Sequence, residues 1–70
     1  MIMLSPDIEK LITIYKEDIE NADAANFELI SSRYSNMIAV LTKKDSSLTL
    51  KDLEPITAAF ESKQREYLFN

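Results

Sequence analysis

There is no glycine anywhere in these seventy residues. Every position carries a Cβ, so backbone with positive φ is disfavoured along the whole chain. Tight two-residue hairpins need that conformation, and sheets built on them become improbable. The same absence excludes phosphate-cradling loops, dinucleotide-binding turns and EF-hand loops. What remains is helix, joined by turns that stay in the right-handed and extended basins.

Seventy residues make a single helical domain, residues 1–70, and a chain this short buries only about 60% of its unfolded surface. It has no cysteine and no histidine, which removes disulfides, thiolate chemistry, and the commonest general base and zinc ligand. The net charge is −4. The acids crowd into the first 28 residues, where Asp7, Glu9, Glu17, Asp18, Glu20, Asp23 and Glu28 face only Lys10 and Lys16. Nucleic-acid backbone binding needs a positive field, so no nucleic-acid partner is expected. The opening Met1-Ile2-Met3-Leu4 is cut short by Ser5 and Pro6, reading as neither signal peptide nor membrane span. The expected setting is cytoplasmic, with no membrane partner.

Apolar spacing predicts an all-α fold, a small antiparallel three-helix bundle with helices at about 6–21, 24–44 and 50–68. Ser5-Pro6-Asp7 is a start signal: a capping hydroxyl, a proline whose missing N–H is harmless, and an acid in the first turn. Ile8, Ile12, Tyr15, Ile19 and Ala22 then step by four and three, with Leu11 on one flank and Ile14 off the stripe. A second seam runs Phe27, Ile30, Tyr34, Met37 and Leu41, with Leu29, Ile38 and Val40 beside it. Lys43 and Lys44 suit that helix's C-terminal dipole. Carrying the first alternation forward demands apolar residues at 26 and 29, but the second seam uses 27 and 30. The phase slips inside Asn21–Ile30, and with Asn21 and Asp23 as candidate caps this predicts a tight turn near 21–24.

Asp45-Ser46-Ser47 predicts the next break. Thr49 and Asp52 then have capping-box spacing, flanked by Leu48 and Leu53 as a hydrophobic staple. Pro55 admits two readings. Either the helix starts upstream and kinks, or Asp52 is the cap and Pro55 lies in the first turn. The third seam is Leu53, Ile56, Phe60 and Tyr67, interrupted by Lys63.

No residue set supports an enzyme, and no cofactor or metal is expected. The acids at 17–20 and 23 flank the inward positions Ile19 and Ala22, so a solvated face explains them. Ser31, Ser32 and Ser35 have no histidine or glycine turn to activate them. Tyr15, Tyr34 and Tyr67 fall on the seams, as core-rim residues or, for Tyr34 and Tyr67, as the lining of a groove. An apolar surplus remains at Ile2, Met3, Leu4, Ile14, Leu50, Leu68 and Phe69. Contiguous exposed apolar surface marks interaction sites. A partner's amphipathic helix could cover it, or a second copy could form a homodimeric bundle.

The stretches ANFELISSRYSNMIAVL and LKDLEPITAAFESKQREYL resemble the flagellar export chaperone FliT family. Phe27, Leu29, Ile30 and Leu41 fit its aromatic-led second helix, and Leu53, Pro55, Ile56 and Glu61 its Leu-x-Pro-apolar step. The resemblance covers about residues 10–68. It departs at Phe27, where the family commonly has tryptophan, and the family's fourth helix has no counterpart before Asn70. The family implies a cytoplasmic all-α chaperone or co-chaperone of type III (flagellar or injectisome) secretion, shielding an amphipathic helix of a secreted or export-apparatus protein. Its implied partner-binding face comprises Phe27, Ile30, Tyr34, Leu53, Ile56 and Phe60, to which the groove reading adds Tyr67. A small phage or plasmid regulator binding another protein is the remaining alternative.

Overall fold

The computed structural model describes residues 4–69, so the expectations for Ile2 and Met3 lie outside the described residues. Three helices follow one another, α1 (Pro6–Glu20), α2 (Phe27–Lys44) and α3 (Glu54–Phe69), and no strand occurs among the described residues. The chain is an all-α three-helix bundle.

Helix α1 opens as its start signal requires. The Ser5 hydroxyl accepts from the Ile8 N–H at 3.3 Å, and Pro6 occupies the first turn. The helix closes at Asn21, whose N–H donates to the Glu17 carbonyl at 2.9 Å. The predicted turn follows immediately. Asp23 caps a short 3-10 segment, Ala24–Asn26, its carboxylate accepting from the Ala25 N–H at 3.0 Å. The second helix therefore starts in a tighter coil and becomes α-helical only at Phe27. That extra winding supplies the phase slip, and no described residue is at positive φ.

The connection to α3 resolves Pro55. Thr49 and Asp52 form the reciprocal box: the Thr49 N–H donates to the Asp52 carboxylate at 2.9 Å, and the Asp52 N–H to the Thr49 hydroxyl at 3.3 Å. They close a single turn, however, and α3 proper begins at Glu54, four residues later than expected. The Lys51 carbonyl, which would have awaited an N–H from residue 55, accepts instead from the Glu54 N–H at 3.3 Å. Pro55 thus sits in the first turn, where its missing donor leaves nothing unpaired. Pro55→Ala should change the unfolding free energy by well under the ~3 kcal/mol of an interior proline, as a denaturant titration would read. A large gain in helicity would mean that the helix starts upstream.

Just before this turn, the Asp45 carboxylate accepts from the Ser47 hydroxyl and from the Ser47 N–H at 3.0 Å. These bonds, the hydroxyl's first, hold its pKa below the ordinary 3.8. A depressed folded-state pKa means that this loop's contribution is complete above the ordinary value. It is lost as pH falls through the folded one.

The core is formed by Ile8, Ile12 and Ile19 of α1, Ile30, Met37 and Leu41 of α2, and Leu53, Ile56 and Ala59 at and beyond the third helix's start. Leu48 packs against it from the loop, so both staple residues are engaged. Ile14, off the stripe, is 47% exposed as its position implies. No polar or charged residue is buried among the described residues. Helix α3 packs more extensively on α1 than on α2.

Candidate functional site

The aromatic residues of α2 and α3 meet along one seam. Tyr67 stacks on Phe27 with centroids 5.2 Å apart, Phe27 on Phe60 at 5.2 Å, and Phe60 on Tyr34 at 4.2 Å. The start of α2 thus lies beside the end of α3, so the two helices are antiparallel. Stacking of this kind adds to area burial and stiffens the seam. The Tyr34 hydroxyl meets the Thr57 hydroxyl at 3.0 Å, a directional link in an otherwise apolar contact.

The seven candidate binding residues divide into two sets. Phe27, Tyr34 and Phe60 are half-buried and Tyr67 is exposed, and these four form the continuous run of rings. Ile30, Leu53 and Ile56 lie elsewhere. They are 2%, 5% and 0% exposed, in the core, and offer no surface that a docked partner could touch. Seam positions separated by only 40–60° around a helix can point at α1 or at solvent, and spacing within one helix does not distinguish them.

Beside the rings, Ser31, Tyr34, Ser35, Ile38 and Phe60 line an open groove of about 410 Å³. The serines carry no apolar signal in sequence, and Ile38 reads only as a flank of its seam. No charged group lines it. At the far end of the rings, Leu29, Tyr67, Leu68 and Phe69 are all exposed, Phe69 by 84%. Leu50, 88% exposed, stands apart in the second connection.

Asp18 of α1 reaches Arg33 of α2 at 3.6 Å, and Lys16 pairs with Glu20 at 3.8 Å along α1. Both pairs are about half exposed, which makes each worth little to stability. Among the described residues no group of three or more acids is placed to hold a metal. Nor is any helix there long and apolar enough to cross a membrane. The arrangement offers recognition by shape and apolar contact. No protein-family model matches this chain, and no curated protein or solved structure is significantly similar to it.

Proposed function

We propose that this chain is a small protein-binding module that shields an amphipathic helix of its partner, acting as a chaperone or co-chaperone of type III secretion. The observation that supports binding is the run Tyr34, Phe60, Phe27 and Tyr67, which leads from the neutral groove to the exposed Leu68 and Phe69. A helix laid along it would bury its apolar stripe against rings already held in place, so little side-chain freedom is lost on binding. The assignment to secretion rests on the FliT-like pattern of Phe27, Leu29, Ile30 and Leu41 in α2 and of Leu53, Pro55, Ile56 and Glu61 around the start of α3.

The test is calorimetry with amphipathic-helix peptides from secreted proteins encoded beside this chain. The cognate peptide should bind with a negative heat-capacity change and little dependence on salt. It should also raise the unfolding free energy, by ~2.7 kcal/mol at a hundredfold excess over Kd. Phe60→Asp should abolish binding. Because Phe60 also packs on the core, Tyr67→Asp at an exposed position is the companion variant. Charge reversal at Asp18 and Glu20 should leave affinity nearly intact. A salt-sensitive interaction lost on reversing those two acids, and indifferent to Tyr67, would move the binding surface to α1 and end this reading.

A further inference from the structure

We infer that the helix this surface takes is basic at one end, with lysine or arginine beside its apolar stripe meeting an acidic pole around Tyr67. The inference rests on the helix-binding reading and deepens it by stating the chemistry of the partner.

Apolar surface and negative charge coincide at this pole. Tyr67 ends the run of rings, and Leu29, Leu68 and Phe69 are exposed at the same end. Two small clefts share the Tyr67 side chain. One, about 270 Å³, is also lined by Glu28 and Leu29, and the other, about 300 Å³, by Asp23 and Glu66. No basic residue lines either cleft. Glu66 pairs with Lys63 at 3.3 Å, but neither Asp23 nor Glu28 makes an ion pair among the described residues. Arg65, two residues before Tyr67, is set about 200° round the helix from it.

The backbone adds to this field. Helices α1 and α3 both end here, since Asp23, just past α1, shares a cleft with Tyr67 in the last turn of α3. Neither helix has a basic residue in its last turn, so two sets of terminal carbonyls keep their partial negative charge. The start of α2 offsets one of them, and its own end, with Lys43 and Lys44, lies at the opposite pole. The groove between Tyr34 and Phe60 has no charged lining. The surface is thus apolar along its length and negative at one end only. Its complement is a helix with an apolar stripe and cations at one end. A lysine stem can lie along the Tyr67 ring while its ammonium reaches the carboxylates. An acidic helix, an anionic lipid surface or a nucleic-acid backbone would be repelled at the same place.

The probes are synthetic helical peptides that share one apolar stripe and differ in a single terminal turn. That turn carries two lysines, two glutamines or two glutamates, and is placed at either end so that the better placement is compared. In calorimetry on the full chain at low salt, the lysine peptide should bind about fivefold tighter than the glutamine peptide, and the glutamate peptide weakest. The margin should vanish in 1 M salt, where screening acts over ~3 Å. The rings still supply most of the affinity, so overall salt dependence stays small. Asp23→Asn, which keeps the cap, combined with Glu28→Gln should remove the lysine peptide's advantage. A lysine peptide no tighter than the glutamine one, with Phe60→Asp still abolishing binding, would overturn this inference and leave the helix-binding reading standing. So would an equal loss for both peptides in the double variant. Binding by none of the peptides would end the helix-binding reading and this inference with it. A dimer in sedimentation equilibrium that the lysine peptide fails to dissociate would give the surface to a second copy, and equally overturn it.

Discussion

Replacing Ile30 with alanine is expected to lower the unfolding free energy by roughly 2–5 kcal/mol, while the same change at Ile14 costs less than about 1 kcal/mol. Ile30 is 2% exposed and packs in the core shared by all three helices. Truncating it removes the transfer energy of its methyl groups and leaves a cavity that the surrounding side chains only partly fill. Ile14 already spends much of its surface in water, so its truncation removes little. A domain of this length has about 3.5–10 kcal/mol in total, at the usual 0.05–0.15 per residue. The Ile30 change therefore takes a large share of the whole. At about 4–8 °C per kcal/mol, its melting temperature should fall by about 8 °C or more. Thermal melts followed by circular dichroism measure both variants, and equal losses would mean that the apolar stripe of α1 has been assigned to the wrong face.

Ile56→Asp should have a still larger effect and leave the chain unfolded. Ile56 is fully buried, and no charged residue is buried near it among the described residues. The carboxylate would lose its water with no cation to pair with, adding several kcal/mol to the lost apolar burial. That sum exceeds what a domain of this size holds in reserve. Phe69→Asp, at a position open to solvent, should change stability by no more than ~0.5 kcal/mol. The contrast also decides what Ile56 is for. If Ile56→Asp folds normally and loses only partner binding, Ile56 belongs to a binding face and the packing of α3 against α1 is wrong.

Some of this was legible in the sequence for reasons that can be stated residue by residue. The turn at 21–24 was readable because a heptad alternation cannot pass from Ala22 to Phe27 without slipping, and Asp23 stood where a cap was needed. The start of α3 was not, because Thr49 and Asp52 make the same bonds whether they cap one turn or a long helix. Only the rerouted bond from Glu54 to the Lys51 carbonyl separates the cases. Ala59 enters the core unannounced, since alanine contributes little to an apolar stripe and Lys63 interrupts it on the next turn. The candidate site was half legible. The seams identified residues that leave water, but which of them face α1 and which face the groove depends on where the third helix lies. No periodicity within α2 or α3 carries that information.

The uneven packing of α3 has a consequence for how the protein comes into being. Its most extensive contact is with α1, the element farthest from it along the chain. During synthesis at ~5–20 residues per second, the stripe Ile8, Ile12 and Ile19 emerges several seconds before the helix that covers it best. The α1–α2 hairpin that can form meanwhile has little to hold it, since a helix of this length is marginal in isolation. Commitment to the native state therefore waits for the last segment. All-or-none folding is the expectation for such a domain, and a nascent chain halted before Glu54 would be left open to proteases and to aggregation through its first helix.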